Sequence, residues 1–304
     1  MSSSLPEGFS VRAPTHDDAA AASAVIEADE RRLRGEVQWG VDDMRDWWSQ
    51  VDMEQNAWLV EHEGRVVGIG SLMQRGDKLD GWMTVDPDFL GRGISTALVE
   101  LAEARARELG GSTVKLGAFA ENDAAGTLLE GLGYRDVRHY YEMRIELDGP
   151  PPDPEWPHGL SAVLFALADA RSLHAAINDA FAGEWNFHQR TFEEFKRFRL
   201  EAPDFDPTLW FVVKDAGEIA AFILCWAKRF GGPHVGLVGV RKPWRCRGLG
   251  LALLHNAFGE FHRRGERRVG LGVDAENTTG ATLLYERAGM QVHSEEIVYE
   301  KELS

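Results

Sequence analysis

The chain has 304 residues, 44% hydrophobic and 27% charged, the balance of a globular protein with room for about two domains. Its net charge of −16 repels a phosphate backbone, which argues against nucleic acid as a partner and leaves cationic amines tolerated. Two cysteines, Cys225 and Cys246, are too few for a disulfide framework; with no basic-then-apolar leader and no long apolar run, the expected setting is cytoplasmic, without a membrane span.

Read in chain order, the first informative stretch is Val85-Asp-Pro-Asp-Phe-Leu-Gly-Arg-Gly93-Ile-Ser-Thr-Ala-Leu98. It returns as Val240-Arg-Lys-Pro-Trp-Arg-Cys-Arg-Gly248-Leu-Gly-Leu-Ala-Leu253, an offset of 248 − 93 = 155. Ala120-Glu-Asn122 returns as Ala275-Glu-Asn277 at the same offset. Past the asparagine the offset becomes 156, from Gly133 to Gly289. A constant offset over separate segments is the mark of an internal repeat. Between the copies, residues 148–157 hold five prolines, which forbid a helix or a central strand and read as a semi-rigid linker. The repeat therefore predicts domains at 1–148 and 159–304, with a Pro-rich linker at 149–158.

The second copy predicts a strand at Leu160–Leu167 and a helix at Asp169–Phe181. A second helix follows at Thr191–Phe198, with Thr191 and Glu194 spaced as a capping box. Strands at Leu209–Lys214 and Glu218–Lys228 flank Asp215-Ala-Gly217, a hairpin signal. His234–Val240 is a strand interrupted by Gly236 and Gly239, where a bulge or a close backbone approach is expected. Leu251–Phe261 is an amphipathic helix, Val269–Asp274 a strand, Thr279–Ala288 a helix and Gln291–Glu300 a final strand. The first copy follows the same coarse order, giving an α/β protein with helices covering a mixed sheet.

The turn Arg245-Cys-Arg-Gly248-Leu-Gly250 joins a strand to an amphipathic helix. Its glycines allow close backbone approach, and the free amides and dipole of the helix start favour an anion, with Arg245 and Arg247 as added donors. No G-x-x-x-x-G-K-[ST] is present, and the third glycine of a dinucleotide fingerprint is missing, so neither of those phosphate sites applies. Downstream, Asn277 precedes Leu284-Tyr285-Glu-Arg-Ala-Gly289. Tyr285 carries a hydroxyl of pKa about 10, able to give a proton to a departing thiolate, and also has the spacing of a core aromatic.

Arg-x-x-Gly-x-Gly after Val-Gly-Val, followed by Asn and Leu-Tyr-Glu-x-x-Gly, resembles the GNAT acetyltransferase family over nearly all of both halves. The resemblance implies two tandem GNAT-like domains, each a mixed, mostly antiparallel twisted sheet flanked by helices. It implies acetyl-CoA as cosubstrate and no metal. The pyrophosphate would rest on Arg245, Cys246, Arg247, Gly248, Leu249, Gly250 and Leu251, and the pantetheine along Leu237, Val238 and Val240, with Asn277 beside it. The amide of Val238 would face the developing oxyanion, and Tyr285 would stand at the general-acid position. An acceptor pocket is implied around Trp185, Phe187, His188 and His234, with Glu184, His188 and His234 as candidate bases. The acceptor would be a small-molecule primary amine, attacking the thioester directly, in a monomer or homodimer. A non-catalytic acyl-CoA-binding regulator and a protein N-terminal or lysine acetyltransferase are the alternatives.

The first copy departs from that pattern. Leu90 replaces Arg245, Ser95 replaces Gly250 and Leu129 replaces Tyr285, while Gly91, Arg92 and Gly93 remain. Val11–Glu146 is therefore expected to be catalytically silent and to serve structure or substrate shaping.

Overall fold

A computed structural model describes residues 5–75, 78–185 and 187–303. Residues 1–4, part of the leader reading, and Asn186, part of the acceptor stretch, lie outside them. The first half forms β1 (Phe9–Arg12), α1 (Ala19–Arg34), α2 (Val41–Ser49), α3 (Met53–Asn56), β2 (Ala57–His62), β3 (Arg65–Arg75), β4 (Lys78–Val85), α4 (Ile94–Glu108), β5 (Thr113–Phe119), α5 (Asp123–Gly131) and β6 (Arg135–Glu146). The second half forms β7 (Ala162–Leu164), α6 (Ala170–Ala180), α7 (Phe192–Phe195), β8 (Trp210–Asp215), β9 (Glu218–Arg229), β10 (Gly232–Val240), α8 (Leu249–Arg263), β11 (Arg268–Asp274), α9 (Ala281–Arg287) and β12 (Gln291–Glu302).

Two compact units result, Met1–Tyr140 with Ser294–Ser304, and Tyr141–His293. Unit 1 orders its strands β1-β2-β3-β4-β5-β12, and unit 2 orders them β6-β11-β10-β9-β8-β7. Most pairings are antiparallel, and β4 with β5 and β10 with β11 are parallel, which matches the expected mixed sheet. The last strand of the sequence pairs with β5, from Glu296 opposite Phe119 to Glu302 opposite Thr113. The part of β6 from Tyr141 onward belongs to unit 2. The compact boundaries therefore fall at 140 and 293, where the repeat suggested 148 and 159. A repeat read along the chain reports duplicated pattern, and it carries no information on which sheet edge a terminal strand joins. The proline segment lies inside unit 2, where Pro150–Pro154 border a cavity of about 320 Å³ with Asn256 and His262 of α8.

The core of unit 2 explains its helices. Leu249, Leu253, Phe258 and Phe261 of α8 are buried against Phe222 and Leu224 of β9. That is one face at helical spacing, and each such side chain contributes about 1.5–3 kcal/mol on burial. The first strand of this half is shorter than the sequence suggested, Ala162–Leu164. The second helix narrows to Phe192–Phe195 and continues as a wider turn over Lys196–Leu200. Its capping box is present: Glu194 N–H donates to Thr191 Oγ1 at 3.2 Å, and Thr191 N–H donates to Glu194 Oε2 at 2.7 Å. Among the described residues, no helix is long and apolar enough to cross a membrane.

Candidate active site

In unit 2, β10 pairs with β9 along its length but meets β11 at His234 opposite Gly270 and no further toward Val240. The two parallel strands therefore part beyond that rung. Arg241 N–H donates to Ala220 O at 3.0 Å, which fixes the alternation along β10. Polar groups of Gly239 and Leu237 then face β9, and those of Val240 and Val238 face the opening. Leu237 has its amide turned to β9, and its half-buried side chain packs against the core of unit 2.

The glycines of β10 have specific neighbours. A Cβ on Gly236 would lie 1.6 Å from the Trp226 ring, and one on Gly239 would lie 2.4 Å from the Phe222 ring. The register also shifts between Val235 and Leu237. Both expectations for these glycines hold together: a bulge at Gly236, and close approach by aromatic rings of the neighbouring strand.

The turn after β10 ends at Gly248, which caps α8 with φ +85° and provides no side-chain cap. The first intrahelical bond runs from Ala252 N–H to Gly248 O at 3.0 Å. The amides of Leu249, Gly250 and Leu251 thus precede the helical ladder, at the positive end of a fifteen-residue helix. Cys246 adopts φ +59°, a left-handed conformation, where the first copy has Gly91 at φ +73°. Cys246, Arg247 and Gly248 are exposed, so the turn opens to solvent. Arg245 departs from its expected role. Its Nε donates to Val240 O and its Nη2 to Ala180 O, each at 3.0 Å. The guanidinium ties the end of β10 to the end of α6, so its contribution to an anion is its place in the turn. Gly250 is likewise a packing residue: a Cβ there would lie 2.9 Å from Leu284 Cδ2, so its absence seats α9 against α8.

That seating positions Tyr285, 8% exposed on α9. Burial raises its hydroxyl pKa above the usual value, and the charge of Glu184 raises it further. Asn277 Nδ2 donates to Glu184 Oε2 at 2.9 Å, and Asn277 Oδ1 accepts from Thr279 N–H at 2.8 Å. Asn277, Glu184 and Tyr285 are therefore brought together. Glu184 stands on the loop after α6, held by its amide to Phe181 O at 3.0 Å. Phe187 stacks on Phe181 with centroids 5.7 Å apart, and Trp185 is half-buried beside it in sequence. His188 is exposed, with Glu194 at the start of α7 as a charged neighbour. His234 is half-buried at the rung where the strands part. Removal from water pushes its imidazole down to about 4, with Arg229 and Arg144 acting the same way and Glu142 opposing. It is neutral near pH 7 and able to accept a proton. Glu142 and Arg144 come from β6 and were absent from the sequence reading, because only the strand exchange brings them here. Among the described residues, no group of His, Cys, Asp and Glu side chains could hold a metal ion.

Unit 1 repeats the skeleton with Leu129 in the place of Tyr285. Its parallel rungs, Asp80–Lys115 and Gly81–Leu116, also end before the strands do. Gly93 caps α4 with φ +82°, and Ala97 N–H donates to Gly93 O at 3.1 Å. The resulting cavity, about 460 Å³, is bordered by Trp82, Leu90, Gly93, Gly117, Asn122 and Leu129.

Comparison with known proteins agrees with this arrangement. The Acetyltransferase (GNAT) family model matches residues 23–134 and 148–290, one match in each copy. A mycothiol acetyltransferase of Thermobispora bispora is 31% identical over 250 residues, covering 80% of this chain and 83% of that protein. A second, from Acidothermus cellulolyticus, is 28% identical over 265 residues, covering 80% and 78%. Among solved structures, a GCN5-related N-acetyltransferase from Sphaerobacter thermophilus superposes with a TM-score of 0.85 at 35% identity, covering 99% of this chain and 97% of that one. A tandem GNAT protein from the clavulanic acid biosynthesis pathway shares the fold, with a TM-score of 0.76 at 16% identity and coverage of 97% and 99%. The chain belongs to the GNAT family and is a tandem N-acetyltransferase resembling mycothiol synthase in layout.

Proposed function

We propose that unit 2 transfers the acetyl group of acetyl-CoA to the primary amine of a small molecule, and that unit 1 is catalytically silent. One observation carries the reading: α9, which holds the buried hydroxyl of Tyr285, is seated through Leu284 on Gly250 at the start of α8, where the amides precede the helical ladder. The residues present fit the cosubstrate. The amides of Leu249, Gly250 and Leu251, with exposed Arg247, hold its diphosphate, and Val238 and Val240 offer backbone groups to its pantetheine arm. Bound acetyl-CoA supplies a thioester that an amine can attack.

The side chains then divide the proton work. His234, neutral at physiological pH, takes a proton from the attacking amine. The Val238 amide stabilises negative charge developing on the carbonyl oxygen. Tyr285 keeps its proton until the thiolate departs, because burial and Glu184 both favour the neutral phenol. Glu184 acts on Tyr285 and Asn277, and it fixes the rim of the acceptor pocket with Trp185 and Phe187. The relatives' name, mycothiol acetyltransferase, and the mycothiol-synthase layout make a cysteinyl amine the first acceptor to assay.

The test is a panel of primary amines assayed for free CoA release, with Gly248→Val as control. Turnover on at least one amine, with the acetyl-CoA KM of the variant raised on the order of tenfold or more, supports the reading. Tight acetyl-CoA binding with no turnover on any amine would favour the acyl-CoA-binding regulator.

A further inference from the structure

Three adjacent strands of unit 2 carry a feature that neither sequence copy encodes alone. His234 on β10 pairs with Gly270 on β11, and β6 lies on the far side of β11. Gly270 has no side chain, and the space its Cβ would take is bordered by three polar atoms, the farthest being Met143 O at 3.9 Å. His234 Nδ1 is 3.5 Å from that point, and Glu142 Oε1 is 3.6 Å from it. Glu142 is held in turn by Arg144, whose Nε donates to Oε1 at 2.8 Å. Both are mostly buried, with side-chain exposures of 10% for Arg144 and 19% for Glu142. The other faces of the imidazole meet Phe230, at 5.1 Å between centroids, and Trp226 across the β9 ladder, with Arg229 as the remaining nearby charge.

The first copy lacks all of this. There Lys115 stands for Gly270 at the repeat offset, 270 − 155 = 115, and Asp80, which pairs with Lys115 as His234 pairs with Gly270, stands for His234. Lys115 fills the gap and pairs with Glu300 at 3.5 Å. The gap and the imidazole occur together in the copy that keeps Tyr285 and are missing together from the copy that lost it.

We infer that Glu142, delivered by the exchanged strand β6, is a positioning residue that sets the tautomer of His234 through the gap at Gly270. A carboxylate on the Nδ1 side favours the proton on Nδ1. The lone pair then sits on Nε2, and the amine proton moves onto that atom while Nδ1–H stays in place. The inference rests on the reading of His234 as the base, and it gives the strand exchange a chemical role.

The experiment is ring-¹⁵N histidine NMR on the full chain, with the His234 signal assigned by its loss in His234→Gln. Wild type shows the Nδ1–H tautomer. Glu142→Gln loses that preference, titrates His234 at lower pH because an opposing negative charge is gone, and lowers kcat about tenfold. Glu142→Asp restores most of the preference. If Glu142→Gln does not fold, Gly270→Ala carries the test, since its methyl separates the two groups and weakens the same preference. An unchanged tautomer and pKa in Glu142→Gln, or an unchanged tautomer in Gly270→Ala when that variant carries the test, overturns the inference while leaving the base reading intact. Full kcat in His234→Gln removes the base reading itself.

Discussion

The two copies share a skeleton and differ in what is placed on it. Each has parallel strands that part after one or two rungs, and each has a left-handed glycine opening a fifteen-residue helix. At the chemical positions, Leu129, 5% exposed, stands where Tyr285 stands, and Asp80 stands where His234 stands. Beside the cleft, unit 1 is also more firmly built. Glu30 pairs with Arg34, both side chains nearly fully buried, and accepts from the amides of Gln38 and Trp39 at 2.7 and 3.0 Å. Trp39 then stacks on Trp82 of β4 at 5.6 Å. In unit 2, Glu184 with Asn277 and the Phe181–Phe187 stack hold the rim of the acceptor loop. The apolar Leu129 inside an intact scaffold keeps the packing, and it lacks the hydroxyl that Tyr285 offers as a proton donor.

The comparison breaks first at two strand glycines, Gly236 at the bulge of β10 and Gly81 in the regular strand β4. Gly236→Ala places a methyl 1.6 Å from the buried Trp226 ring, whereas Gly81→Ala meets Leu116 Cδ2 at 2.7 Å, the flexible end of a side chain. Gly236→Ala is expected to cost more than about 3 kcal/mol and to lower the Tm of unit 2, with a smaller loss of about 1–2 kcal/mol for Gly81→Ala. Equal losses in thermal melts would show that the rings of unit 2 move aside freely.

A milder change makes the second turn resemble the first. Cys246→Gly relieves a left-handed side chain and is expected to stabilise by about 0.5–1 kcal/mol, raising Tm by about 2–4 °C. A fall in Tm would mean that the thiol makes compensating contacts.

The smallest effect separates the units by pH. Glu296, on the exchanged strand of unit 1, has its carboxyl pushed up to about 7 by burial, from an ordinary 4.5. Its folded form binds the proton more tightly than its unfolded form, so its support for the fold is complete below the ordinary value and is lost as pH rises through about 7. Glu296→Gln should therefore flatten the decline in Tm between about pH 5 and pH 8. An identical decline in variant and wild type would place the titrating group elsewhere.

Much of unit 2 was legible in the sequence. The strand–turn–helix at Val240–Leu253 and the capping box at Thr191 depend on local spacing, and local spacing is what a sequence displays. The bulge at Gly236 was legible for the same reason. Arg245 was misread in part because charge suggests an anion, while its actual acceptors are two main-chain carbonyls that only the folded turn brings within reach. His188 follows the acceptor residues along the chain and stands exposed, with Glu194 as a charged neighbour. Glu142 was not legible at all. It lies 92 residues before His234, in the other copy of the repeat, and reaches unit 2 through a strand exchange that follows from sheet-edge pairing.

The central claim, that unit 2 alone performs the transfer, is tested most directly by the single-turnover rate of Tyr285→Phe at saturating acetyl-CoA and acceptor. A loss on the order of 100-fold or more, with acetyl-CoA affinity kept and with Leu129→Ala as active as wild type, is predicted. A Tyr285→Phe protein that turns over at the wild-type rate would contradict it.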